Sequence, residues 1–375
     1  MLRYMTAGES HGKGLIAVLD GVPAGMKIDE GSINGELARR MRGYGRGGRM
    51  AIENDTAEII AGCRKGVTLG SPVGMLIRNR DHKIDELPEL MCPRPGHADL
   101  AGILKYDLEG ARGVLERASA RETAARVAAG AVAKLILGEF GIKVLSHVVM
   151  IGGVHADAKG LSFDQIFSLA EKSDVRCADK YTAKKMRKAI DEAAKRGDTL
   201  GGVFEVIVKG VPPGLGSYSQ WDRRLDGILA RAVMSIQAVK AVSIGAGIES
   251  ASLAGACVHD AVSYDGKQRA FERKTNRSGG LEGGVTNGSN ILVKGFMKPI
   301  ATLMSPLESV NISTKKKARA STERSDVTAV PACGVVAEAA VAIEIASAFM
   351  DKFGGDAVSE MRRNYEGYRK YLREK

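Results

Sequence analysis

The sequence predicts a protein of mixed helices and strands, and three observations carry that prediction. Residues 15–19, closed by Asp20-Gly21 and Pro23, and residues 201–208, closed by Gly210, Pro212 and Pro213, are short apolar runs bounded by turn residues, as buried strands are. Residues 124–140 form a long apolar stretch that stops at Gly141, as a helix does. Residues 334–350 are apolar nearly all round, which fits a helix enclosed by the core. A length of 375 residues allows two or three domains, but no Pro/Ser-rich linker or low-complexity tract divides the chain, which leaves one large domain open.

After the first strand, a helix is expected to open at Asp29 or Ser32, with Leu37 on its apolar face and Arg39, Arg40 and Arg42 near its end. RGYGRGGR at 42–49 is a glycine loop carrying three arginines. A dinucleotide fingerprint would need a strand before it and an apolar helix after it, and neither is there. The loop reads either as an arginine-lined phosphate site, since guanidinium forks match phosphate oxygens, or as an exposed loop. Strands at 57–60 and 73–77 lead into a polar, proline-rich segment over 79–94. Ser119 and Glu122 then make an S-x-x-E capping box for the helix that follows, where Ala128, Ala129, Gly130, Ala131 and Ala133 would let another element pack closely. Residues 157–196 read as charged helices and loops. Leu225, Ile228, Leu229, Ala232, Val233, Ile236 and Val239 form an apolar stripe at helical spacing, with Gln237 beside it. The basic run through Lys315, Lys316, Lys317 and Arg319 reads as a solvated, mobile loop, and 361–375 as a solvated helix.

Composition narrows the partners. A formal net charge of +11 favours anionic ligands. The five cysteines are scattered, with no CxxC and no zinc-ligand spacing to a histidine, so reduced thiols and no metal site are expected. The apolar run 128–137 is too short to span a bilayer and carries Lys134, and no basic leader precedes an apolar run at the N-terminus. A cytoplasmic protein without membrane association is the expectation. Two stretches carry candidate chemistry. MTAGESHGK at 5–13 sets Glu9, Ser10, His11 and Lys13 among glycines, and reads as a turn or as a site. PRPGHAD at 93–99 holds His97 on a loop stiffened by prolines on both sides of Arg94.

Six segments in order, GESHG at 8–12, ELARRMRGYGRGGRM at 36–50, PRPGHAD at 93–99, ERASARETAARVAAGA at 116–131, GGVFEV at 201–206 and ERSDVTAVPA at 323–332, resemble the chorismate synthase family in its bacterial, compact form. The resemblance implies an α+β fold, a sandwich of antiparallel β-sheets with central buried helices, in one catalytic domain over 1–375 and assembled as a homotetramer. It implies a lyase: 1,4-anti-elimination of phosphate from 5-enolpyruvylshikimate 3-phosphate to give chorismate, on the shikimate pathway to the aromatic amino acids. It also implies a requirement for reduced FMN without net redox change. The substrate's two carboxylates and phosphate suit an arginine-rich chain, and an electron-rich flavin would carry the difficult step.

Residue by residue, the resemblance makes His11 and His97 the active-site histidines. His97 is expected to protonate the departing phosphate and His11 to manage the proton at the reduced flavin, while Asp326 matches an aspartate that works in proton removal. FMN contacts are implied at Arg117, Ala118, Ser119, Gln237, Ala238, Gly283, Lys298, Pro299, Ile300, Ala301, Thr302 and Arg324. Arg40 and Arg46 match positions linked to NADP, and with Arg49 look like anion-binding arginines. Ala118 stands where many relatives have serine, and Asn79-Arg-Asp-His82 replaces a common Asn-Lys-Asp-Trp. No reductase segment is evident, so an external flavin reductase or reductant is expected.

Two other readings make different demands. A flavin or nicotinamide oxidoreductase would consume flavin stoichiometrically. An RNA-binding protein could use the 42–49 loop, but an aromatic content of 5% leaves little for base stacking and no RNA-binding motif is present, so a nucleic-acid partner is not expected.

Overall fold

The computed structural model describes residues 2–47, 54–267, 269–323 and 325–375; Arg49 and Arg324 lie outside the described residues. Two antiparallel sheets dominate. The N-terminal sheet runs Arg3–Ala7, Gly14–Asp20, Val73–Arg78, Ala57–Ala61 in spatial order. The second runs Val239–Ile244, Ile291–Met297, Gly202–Lys209, Lys143–Ile151, Val154–His155. Side chains alternate across a strand, so Leu15, Ala17 and Leu19 turn into the core while Ile16 and Val18 face out.

Two helices fill the space between the sheets. Thr123–Gly138 packs on the N-terminal sheet and on Val330–Phe353, which in turn packs on the second sheet. This is the α+β sandwich around central buried helices that the resemblance implied. Val330–Phe353 is long and apolar enough to cross a membrane by length and composition, yet 83% of its most apolar window is buried inside the protein. The two helices cross where Gly130 meets Ala339, so closely that a Cβ built on Gly130 would overlap Ala339. Gly130→Val is therefore expected to destabilise by about 1–3 kcal/mol through overpacking, read as a lower urea midpoint at unchanged slope. A midpoint equal to that of the parent protein would show that the crossing has room to spare.

Glu338 is the buried charge in the apolar helix. It is fully buried, and its carboxylate accepts from Lys134 Nζ at 2.5 Å, Arg39 Nη1 at 2.7 Å, Arg176 Nη2 at 3.2 Å and the Ser146 amide at 2.7 Å.

Three expectations are corrected. The helix after Ser119 has no capping box: Ser119 Oγ accepts from the Arg121 amide at 3.3 Å and a single 3₁₀ turn, Ala120–Glu122, intervenes. The Glu122 carboxylate is drawn instead to Arg126 at 3.0 Å and Thr6 Oγ1 at 2.7 Å, partners that compensate a buried charge better than one backbone amide. The apolar stripe from Leu225 outruns its helix, which ends at Met234; Val239 already begins a strand, in which it is buried. The basic run after Lys315 forms the second strand of a hairpin, Lys317–Arg319 on Glu308–Val310.

Candidate active site

The loop after the first strand turns at Gly8, whose φ of +110° and contact with the Gly14 backbone leave no room for a side chain. Asn79 clamps it, with its amide nitrogen donating to the carbonyls of Glu9 at 3.1 Å and Gly12 at 2.8 Å. Asn79 Oδ1 accepts from Arg121 Nε at 2.9 Å, and Arg121 is paired with buried Asp55, which also meets Arg40 at 3.3 Å. A buried polar chain thus underlies the loop. Arg40 belongs to it: its Nε donates to Thr123 Oγ1 at 2.9 Å and Nη2 to the Ala120 carbonyl at 2.9 Å. Burial pulls its pKa down to about 10 against the pull of Asp55.

Within the loop, Glu9 is exposed and Ser10 is buried, where Ser119 Oγ lies 3.2 Å from Ser10 Oγ. His11 is gripped twice by Glu116, on helix Arg112–Ala118. Its amide donates to Glu116 Oε2 at 2.7 Å, and its ring Nδ1 lies 2.9 Å from Oε1. Burial would push the Glu116 carboxyl up, but the bonds from His11 and the charge of Arg112 outweigh it and hold it below its usual range. Nε2 lies 4.0 Å from Asp81 Oδ2. Arg117 donates to the Gly8 carbonyl at 3.1 Å and the Thr6 carbonyl at 3.0 Å, joining the same helix to the end of the first strand.

The second histidine is built likewise. His97 precedes helix Asp99–Tyr106, and its Nδ1 makes a short hydrogen bond to Asp99 Oδ1. Asp99 also takes a bidentate pair from Arg94, Nε to Oδ2 at 2.9 Å and Nη2 to Oδ1 at 2.9 Å. Its carboxyl is held well below the usual range although burial opposes this, because His97 and Arg94 favour the anion. Arg94 Nη1 reaches Thr302 Oγ1 at 2.8 Å and Lys298 Nζ donates to the Gly96 carbonyl, so the segment 298–302 is stitched to the His97 loop. Ala301 lies beside Gly96, the Ile300 carbonyl accepts from Thr199 at 2.7 Å, and Pro299 abuts Gly201.

Asp326 closes the arrangement, accepting from the Gly47 amide at 2.6 Å and pairing with Arg46 Nε at 3.2 Å. The segment before it touches both histidine neighbourhoods. The Ser321 amide bonds the Cys92 carbonyl at 2.9 Å, next to the His97 loop, and Glu323 takes Arg112 Nη2 at 3.0 Å, next to Glu116.

Gln237 and Ala238 stand at the turn into Val239–Ile244. Gln237 Nε2 donates to Glu122 at 3.2 Å, which aims Oε1 elsewhere, and Oε1 is buried without a hydrogen-bond partner among the described residues. Ala238 adopts φ +66°, uncommon for a residue with a Cβ, and its carbonyl accepts from the Lys298 amide at 2.9 Å. Gly283 sits elsewhere, at the turn between Leu281–Glu282 and Val285–Thr286, facing Tyr218. Ala118 ends the Glu116 helix, half-buried.

Sequence reasoning missed Glu116, Asp99, Arg94, Arg112, Asn79 and Asp55 as site residues. Glu116 and Asp99 open and close two of the recognised segments, so their presence was visible. The pairing of Glu116 was not, since it reaches His11 across 105 positions, whereas Asp99 stands two positions from His97, within reach of a local reading.

A family profile described as chorismate synthase matches residues 2–350. The chain is 52% identical over 392 residues to the chorismate synthase of Geobacter metallireducens, covering 100% of both, and 53% identical over 383 residues to that of Syntrophotalea carbinolica, covering 99% of this chain and 98% of the other. A solved structure entitled Crystal Structure of Chorismate Synthase superposes with a TM-score of 0.83 at 42% identity, covering 100% of this chain and 99% of that one.

Proposed function

The chain belongs to the chorismate synthase family of phosphate-eliminating lyases, and we propose on that premise that it converts 5-enolpyruvylshikimate 3-phosphate to chorismate by 1,4-anti-elimination, with reduced FMN bound and no net redox change. The observation that carries this reading is the pair of imidazoles, each held through Nδ1 by a buried carboxylate, on an arginine-rich chain that suits a substrate with two carboxylates and a phosphate. In it, His97 acts from its doubly protonated form, giving the Nε2 proton to the departing phosphate oxygen and keeping the Nδ1 proton that Asp99 holds. His11 is placed to manage a proton at the reduced flavin when that is bound, and Asp326, fixed by Gly47 and Arg46, takes part in removing the proton that the substrate loses. Lys298 and Arg117 add positive charge beside the two histidine loops.

Several features suit a flavin. The buried Oε1 of Gln237, unpartnered among the described residues, offers an acceptor for a ring N–H, and the adjoining backbone at Ala238 is held in an uncommon conformation. Arg117, Ala118 and Ser119 flank the His11 loop, while Lys298, Pro299, Ile300, Ala301 and Thr302 flank the His97 loop. Reduced FMN, when bound, would supply the electron density that eases loss of phosphate. A nicotinamide nucleotide has less support, because the Arg40 guanidinium is committed to Thr123, Ala120 and Asp55. We read Arg40 as structural and assign reduction of FMN to a separate reductase or reductant.

The same reading makes the chain one catalytic domain working as a homotetramer. The outer face of the N-terminal sheet, with Met5 71% and Ile60 57% exposed beside Ile16 and Val18, is a surface such an assembly would bury. Free Cys63, Cys92, Cys177, Cys257 and Cys333 accord with a reducing cytoplasm. The test is anaerobic incubation with dithionite-reduced FMN and the enolpyruvyl substrate. Phosphate release with flavin still reduced is expected. Folded protein that releases none would defeat the reading, and flavin oxidised in step with product would favour an oxidoreductase.

A further inference from the structure

We propose that Glu116 and Asp99 are positioning residues that fix His11 and His97 in the Nδ1–H tautomer, so that Nε2 is the proton-handling atom of each. The inference rests on the proton roles given above to the two histidines and deepens them.

A neutral imidazole has one N–H, and the hydrogen bond made by one nitrogen decides where it sits. An ionised carboxylate only accepts. With Glu116 Oε1 at 2.9 Å from His11 Nδ1, and Asp99 Oδ1 in a short contact with His97 Nδ1, the proton belongs on Nδ1 in both rings. Both carboxylates are nearly or wholly excluded from solvent, and both are held ionised below their usual range. Arg94 Nη2 also lies 3.0 Å from His97 Nδ1, but the guanidinium already has both Asp99 oxygens, and a protonated Nδ1 has no lone pair to offer it.

The two holders do different mechanical work. Glu116 accepts from both the amide and the ring of His11, so one side chain sets the loop and the tautomer together. Asp99 is shared between His97 and Arg94, and Arg94 reaches Thr302, so the tautomer of His97 is tied to segment 298–302. The charged groups around the rings also differ. His11 faces Glu116, backed by Arg112, and at 4.0 Å Asp81, which pairs with Lys83 at 3.1 Å. His97 faces Asp99 and Arg94, with Lys298 on the neighbouring Gly96 carbonyl.

The test is nitrogen NMR of protein labelled at its six histidine rings, without substrate or cofactor. At a pH where the rings are neutral, His11 and His97 should show a protonated Nδ1 and an unprotonated Nε2, assigned by loss of each signal in His11→Ala and His97→Ala. Glu116→Gln and Asp99→Asn, whose amide nitrogens can donate to Nδ1, should each convert one ring to the other tautomer. Each should lower kcat by about 10²-fold or more, with a much smaller change in KM. Nε2–H rings in the parent protein would overturn the inference even if no variant folds. So would a Glu116→Gln or Asp99→Asn protein with normal kcat. Full turnover in His11→Ala and His97→Ala, with the parent tautomers as expected, would instead sink the proton roles and leave the tautomer assignment standing.

Discussion

Replacing His97 by alanine is expected to cut turnover by roughly 10²–10⁴-fold, the usual worth of a positioned proton donor. The phosphate oxygen leaves as an anion, and without His97 only water or a less well-placed group can neutralise it. The loop should survive the change. The Arg94–Asp99 pair at 2.9 Å, the Arg94–Thr302 bond at 2.8 Å and the Lys298 contact with Gly96 do not need the imidazole. Steady-state phosphate release under anaerobic conditions with reduced FMN reads the effect, and an unaltered thermal midpoint excludes unfolding as its cause. Turnover equal to the parent enzyme would remove His97 from the chemistry, whatever its geometry.

That expectation shows which parts of the site could be read from residues alone. His97 stood out because prolines and a glycine around it signal a rigid loop, a local property. His11 was legible for the same reason, through Gly8 and Gly12. The strands and both central helices were legible because apolar period and turn residues are also local. The partners were not. Asn79 clamps the 8–12 loop from just past the end of the strand Val73–Arg78, and Asp55 pairs with Arg40 and Arg121, all polar residues whose burial no periodicity announces. Arg40 shows the cost of reading charge by type: a guanidinium expected to meet an external phosphate is spent on internal acceptors. Ser119 and Glu122 satisfy a capping pattern, yet tertiary partners claim Glu122.

Glu338 is where a polar residue in an apolar run has the largest consequence for stability. Glu338→Ala is expected to destabilise the protein by about 3–5 kcal/mol, because removing one partner of a buried ion cluster leaves the others uncompensated. Three carboxylates, Glu36, Glu171 and Glu338, balance three cations, Arg39, Lys134 and Arg176. Loss of Glu338 leaves one cation in excess and deprives the Ser146 amide of its acceptor. Glu36 still meets Arg39 and Lys134 at 2.7 Å, and Glu171 still meets Arg39 and Arg176 at 2.6 Å, which places the loss toward the lower end of that range. Glu338→Gln, which keeps an acceptor for Ser146, should lose less.

The same cluster sets a pH dependence. Burial alone would raise the Glu338 carboxyl, but Lys134, Arg39 and Arg176 hold it well below the usual carboxylate range. A group whose folded pKa is depressed stabilises fully above its unfolded value of about 4.3, and the contribution is lost as pH falls through that value toward the folded one. The gap in urea midpoint between the parent protein and Glu338→Ala should therefore be widest near neutrality and shrink progressively below about pH 5. A gap that stayed constant down to pH 3 would mean that the ionised carboxylate contributes nothing, and that Glu338→Ala destabilises only by leaving a cavity.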